Sequence, residues 1–113
     1  MLEKISYVVL LKDFYGPLLT EKQQNVLSLH YENDWSLSEI ANNMNTSRQA
    51  VYDLAKRAES LLEEYEQRLG LVEKFQRTRR RLGDLAVLVE GASLDKDKQL
   101  QALEIIKELG SLI

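Results

Sequence analysis

WSLSEIANNMNTSRQAVYDLAKRA, residues 35 to 58, places Leu37, Ile40, Met44, Val51 and Leu54 where a short helix, a tight turn and a second helix would share them as one small core. That arrangement is a helix-turn-helix. Ser36, with Glu39 three residues on, has the spacing of a capping box, in which each side chain accepts a backbone N–H of the other residue. Ala41 stands where the two helices cross, and a larger side chain would push their axes apart. Asn45 enters the left-handed conformation more readily than most residues other than glycine, which suits the turn. Ser47, or Thr46 before it, then caps the second helix. The outer face of that helix keeps Ser47, Arg48, Gln49, Tyr52, Asp53 and Lys56, followed by Arg57. These are mostly long polar side chains of the kind that reach base edges and phosphates when such a helix enters the major groove.

Upstream, Leu2, Ile5, Val8, Val9 and Phe14 predict a first helix over residues 2–14, which Gly16 and Pro17 end. Thr20 and Gln23 form a second capping box, and the apolar period from Val26 to Tyr31 carries that helix to about Glu32. Three helices therefore precede the recognition helix. Each is too short to stand alone and apolar on one stripe, so they should pack as a compact orthogonal bundle.

Downstream, nothing breaks the helical pattern before Gly70, which gives a recognition helix from Ser47 to Leu69, about 35 Å long. Val51, Leu54, Ala58, Leu61 and Tyr65 keep heptad spacing, and Ala55, Leu62 and Leu69 widen the stripe. The bundle is expected to cover the first half of this stripe and leave the second half bare. Either the next helix folds back over it at Gly70, or the same surface of a second subunit covers it, and two-fold pairing makes a homodimer the expectation. Residues 71–89 predict a further amphipathic helix, interrupted on its apolar side at Thr78 and Arg79. Gly91, Ala92 and Ser93 end it, with Ser93 as the next cap, and Leu94, Leu100, Leu103, Ile106 and Leu109 mark a last helix closed by Gly110. No segment alternates like a strand. The expected architecture is all-α: a helix-turn-helix domain over 1–69, and a C-terminal helical extension over 70–113 for packing or dimerisation.

The chain has 113 residues, enough to bury a core without staples, and no cysteine, which excludes disulfides and thiolate chemistry. Its one histidine, His30, falls inside an apolar-periodic helix and reads as a partly buried packing residue, so no metal site is expected. No apolar run approaches a membrane span, and Glu3 beside Lys4 replaces a basic leader, so a soluble cytoplasmic protein is expected. Serines lack a histidine partner, the five glycines stand singly at helix ends, and the carboxylates sit at salt-bridge spacing. No catalytic residue, cofactor or enzymatic activity is expected.

Net charge is −3, which argues against a uniformly positive nucleic-acid surface, but the distribution is uneven. Residues 47–57 hold Arg48, Lys56 and Arg57 against Asp53 alone, and residues 71–82 hold Lys74, Arg77, Arg79, Arg80 and Arg81 against Glu73. Between them, residues 59–66 carry Glu59, Glu63, Glu64 and Glu66 with no basic residue among them. The second basic island is either a strip for DNA phosphates or structured RNA, or a solvated face with Glu73–Arg77 and Arg80–Asp84 pairs.

The run LLTEKQQNVLSLHYENDWSLSEIANNMNTSRQAVYDLAKRAESLL, residues 18–62, resembles the promoter-reading carboxy-terminal region of bacterial sigma factors (region 4). Together with KISYVVLLKDFYGPLLTEKQ and the continuation YEQRLGLVEKF, it looks closer still to the YlxM family of small helix-turn-helix proteins of Gram-positive bacteria, over about residues 1 to 90. The resemblance implies a sigma-like DNA-binding fold, and a regulatory link to the signal recognition particle, beside whose genes this family tends to lie. By position it puts DNA contacts on Ser47, Arg48, Gln49, Tyr52 and Lys56. Asn45 departs from the common glycine, Asp53 puts a negative charge on the groove face, and no polymerase-binding region is present, so the chain should not itself be a sigma factor.

The reading is therefore a dimeric, non-catalytic regulator of double-stranded DNA. Arg48 and Gln49 would read base edges, and Lys56 and Arg57 would hold phosphates. The alternative is an adaptor of the protein-targeting machinery that uses the arginine strip to hold signal recognition particle RNA or protein.

Overall fold

A computed structural model describes residues 2–113, and side chains from Glu3 onward. Six helices, α1 (Leu2–Tyr15), α2 (Glu21–Leu27), α3 (Leu37–Asn43), α4 (Arg48–Leu69), α5 (Leu71–Glu90) and α6 (Lys96–Ser111), account for the fold, with no strand among the described residues. The chain divides into two units, Met1–Val72 and Glu73–Ile113.

In the first unit, α1, α2 and α3 all pack on α4. Pro17 sits in a short 3-10 turn, Gly16–Leu18, closed by the Leu19 N–H donating to the Gly16 carbonyl at 2.9 Å. Both expected capping boxes form, Thr20 with Gln23 and Ser36 with Glu39. The last turn of the second helical segment is wider than the pattern predicts. Ser28–Glu32 is a π-helical turn, in which the Asn33 N–H donates to the Ser28 carbonyl at 3.0 Å.

The core has two lobes strung along α4. Val26, Ile40, Ala41, Val51 and Ala55 fill one, with Leu37, Met44 and Leu54 at its edge. Leu11, Tyr15, Leu19, Leu27, Ala58, Leu62 and Val72 fill the other. The second lobe corrects the expectation that the distal half of the recognition helix is bare. Ala58 and Leu62 are fully buried, and the cover includes Leu11 and Tyr15 of α1. The period of α1 was legible in the sequence, but what it lies against is a long-range contact that no local pattern encodes.

The glutamates between the basic islands also find partners, two of them from afar. Glu59 accepts the Tyr31 hydroxyl at 2.8 Å and lies 3.7 Å from the Lys4 ammonium. Arg68 pairs with Glu64. The Tyr15 hydroxyl donates to Glu66 at 2.6 Å and accepts the Leu71 N–H at 3.0 Å, while the same Glu66 oxygen accepts the Val72 N–H at 2.9 Å. Two otherwise free amides at the start of α5 are thus capped by residues from α1 and α4. Gly70 makes the corner: its φ of 62° is left-handed, and its N–H donates to the Glu66 carbonyl at 2.8 Å.

In the second unit, Asp95 caps α6 by accepting the Lys98 N–H at 2.8 Å, so the cap lies two residues beyond Ser93. An ionised carboxylate is the stronger acceptor there. Gly110 falls inside α6, which runs to Ser111. Asp84 pairs with Arg81 at 3.3 Å instead of with Arg80.

Burial first, and then the bond to Glu66, push the Tyr15 hydroxyl above its ordinary pKa. Because the folded value is raised, this stabilisation is fully present below about pH 10, the unfolded phenol's pKa, and is lost as pH rises through the higher folded one. Tyr15→Phe should cost about 1–3 kcal/mol in urea unfolding at neutral pH by stranding the Leu71 N–H and Glu66. It should also reduce the fall in stability above pH 10.

Candidate nucleic-acid interface

The turn between α3 and α4 is built as its residues dictate. Asn45 has φ 54°, in the left-handed region. The Thr46 N–H donates to the Ala41 carbonyl at 3.0 Å and closes the end of α3. Ser47, not Thr46, is the cap: its hydroxyl accepts the Ala50 N–H at 3.1 Å. The bond that the Glu39 carboxylate accepts from the Ser36 backbone N–H, and then that from its hydroxyl, holds this carboxylate below the usual range. The capping box is therefore intact at neutral pH.

With Val51, Ala55 and Ala58 fixing the inward side of α4, successive steps of about 100° put Gln49, Asp53, Lys56 and Arg57 on the outward face, Tyr52 at one edge of it, and Arg48, in the first turn, beyond that edge. All six are exposed, as is Ser47. Asp53 is not simply an opposing charge on this face. Its carboxylate accepts the Gln49 side-chain N–H at 3.0 Å, one turn back, which orients that amide and leaves its carbonyl oxygen free. Lys56 and Arg57 thus share the outward face with one carboxylate, which is itself hydrogen-bonded, and Arg48 flanks that face from the first turn.

A hollow of about 210 Å³ borders this face, lined by Lys4, His30, Leu37, Tyr52 and Lys56 among others. The His30 Nδ1 lies 2.9 Å from the Trp35 carbonyl oxygen, which only accepts, so Nδ1 carries the proton; the ring also meets Tyr31 edge-on. His30 is thus a half-buried packing residue, as its sequence position implied. Lys4 reaches this border from α1, a proximity that nothing local in the sequence signals.

The second basic island lies in the other unit. Lys74, Arg77, Arg79, Arg80 and Arg81 are exposed along α5, with the Arg79 guanidinium 5.3 Å from the centre of the Phe75 ring and Arg81 paired with Asp84. Among the described residues no cluster of His, Cys, Asp and Glu could hold a metal ion, and no helix is long and apolar enough to cross a membrane.

The family model described as "Putative helix-turn-helix protein, YlxM / p13 like" matches residues 2–106. The chain belongs to this family. Relatives named UPF0122 proteins in Bacillus cereus strains AH187 and G9842 and in Bacillus anthracis strain A0248 are each 45% identical over 109 residues, which is 96% of this chain and 99% of the relative. The match runs well past residue 90, so it takes in most of α6 as well as the helix-turn-helix.

The left-handed turn gives a direct test of the interface's scaffold. Asn45→Gly should leave the protein as stable or up to about 1 kcal/mol more so, whereas Asn45→Val should lower stability by about 1–2 kcal/mol, both read from thermal unfolding.

Proposed function

We propose that this family member is a non-catalytic, cytoplasmic regulator that binds double-stranded DNA by inserting the first turns of α4 into the major groove. The observation that carries the reading is the exposed face of α4: Arg48, Gln49, Tyr52, Lys56 and Arg57 project from a helix whose opposite side is locked into both lobes of the core. Rigid placement matters because base edges are distinguished by side-chain hydrogen bonds of fixed geometry. Arg48 at the leading edge and Gln49, pre-oriented by Asp53, are the base readers; Ser47, Lys56 and Arg57 hold phosphates, and Tyr52 packs on the backbone. The acidic overall balance favours this division, because affinity then rests on one local cationic face and not on a general attraction to any polyanion.

A second reading, an adaptor that holds the RNA or a protein of the signal recognition particle, is favoured by the exposed arginines of α5, where Arg77, Arg79 and Arg80 exceed what solubility needs.

The two readings separate on side-by-side titrations with duplexes from the gene's own upstream region, duplexes selected from a random pool, and signal recognition particle RNA. Arg48→Ala and Gln49→Ala should each remove about 1–3 kcal/mol of site preference, while Lys56→Ala should weaken all duplexes alike and lower the salt slope by about one. RNA binding that needs Arg79 and Arg80, with no site-specific duplex, would replace the DNA reading by the adaptor.

A further inference from the structure

Two hollows lie along α4, one on each side of its outward face. The first, of about 210 Å³, takes its lining from four elements: Lys4 of α1, His30 and Tyr31 of the π-helical turn, Leu37 of α3, and Tyr52, Lys56 and Glu59 of α4 among others. The second is lined by Ala50, Asp53, Leu54 and Arg57, all of α4. Steps of about 100° set Tyr52 and Lys56 toward one side of the face and Leu54 and Arg57 toward the other. Each hollow thus has one α4 cation. Only the first gains another from a distant part of the chain, whereas the second sets Arg57 with the Asp53 carboxylate.

Glu59 is the carboxylate of the first hollow, and it is already engaged. One of its oxygens accepts the Tyr31 hydroxyl at 2.8 Å and lies 3.7 Å from the Lys4 ammonium, a separation too long for a hydrogen bond. The Glu59 side chain is 18% exposed and that of Lys4 63%, so the cation stands toward water from its partner. Two lysines against one shielded carboxylate leave the hollow positive. The π-helical turn that supplies His30 and Tyr31 is a rare element, found frequently at functional sites.

Size decides what kind of anion fits. Pockets for independent small ligands hold about 300–1,000 Å³, so this hollow suits one group of a larger ligand. A helix with its side chains is about 10–12 Å across and fills a major groove about 12 Å wide, which lays a sugar-phosphate strand along each flank. We infer that the first hollow seats the phosphodiester backbone of one DNA strand, with Lys4 of α1 as a phosphate contact in addition to Lys56. This rests on the DNA-binding reading and adds to it a cation from outside the helix-turn-helix. Phosphate takes the place of Glu59 as the partner of Lys4, and the strand on this flank is held by more cations than the strand beside Arg57.

Titrations of the full chain with the duplexes named above, at several salt concentrations, test the inference. Lys4→Gln should lower the salt slope by about 0.9, which extrapolated from 1 M is roughly an eightfold loss of affinity at 0.1 M, and Lys4→Arg should restore most of it. Lys4 is exposed, so folding is not at stake. Glu59→Gln, which keeps an acceptor for Tyr31, should tighten binding by roughly threefold, whereas a merely structural Glu59 would give no gain. If wild type binds a duplex through Arg48 and Lys56 but Lys4→Gln matches it in slope and affinity, the strand does not enter the hollow and the DNA reading stands without it. A wild type with no affinity for any duplex removes both. Binding of inorganic phosphate alone with Kd below about 1 mM, lost in Lys4→Gln while duplex binding is kept, would make the hollow a seat for a free anion and overturn the strand assignment.

Discussion

The first unit depends on burying one stripe of α4 along its length. Val51, Ala55, Ala58 and Leu62 step by three and four and are at most 5% exposed. The two alanines matter as much as the larger residues, because they let neighbouring helices approach closely, and no side chain there could be enlarged without separating the lobes. Each of the other helices is apolar on one side and too short to hold its shape unaided, so α4 serves as their common template. The interface inherits its rigidity from this. The residues that face outward on α4 do so because their neighbours in sequence are committed inward.

Polar groups then fix what hydrophobic burial leaves loose. Tyr15 and Glu66 join α1, α4 and the start of α5 through three short hydrogen bonds, and Tyr31 with Glu59 ties the π-helical turn to α4. Burial pushes both tyrosine hydroxyls up in pKa, with the neighbouring glutamate adding to the effect, so they remain donors through the physiological range. A buried hydroxyl between a carboxylate and a backbone amide is directional in a way that leucine packing is not, and it fixes the backbone at Leu71 and Val72 against α1 and α4.

The two basic islands differ in their surroundings. The cations of α4 stand beside a carboxylate that orients Gln49, an arrangement suited to selective contact with a polyanion. The cations of α5 are exposed in the second unit among carboxylates of the same helix, Glu73 and Asp84. Asp53, which the sequence presents as a simple opposing charge, and Asp84, which pairs with Arg81 three residues before it and not with Arg80 four before it, both show that a carboxylate's effect depends on which neighbour it meets.

The sequence by itself determined the six helices, both capping boxes, the left-handed Asn45, a cap at Thr46 or Ser47 and the polar set from Arg48 to Arg57. All of these rest on interactions within about four residues, where spacing and side-chain chemistry are read directly. Only the tertiary structure decided that α1 covers the distal half of α4, that Glu59 and Glu66 bond to tyrosines from other elements, that Lys4 borders the outward face, and that no side chain from Glu73 onward is buried. The apolar period of a helix states that a side must be covered. Which element covers it is set by contacts some fifty residues apart in the chain, such as Tyr15 with Glu66, and those leave no periodic trace in the sequence.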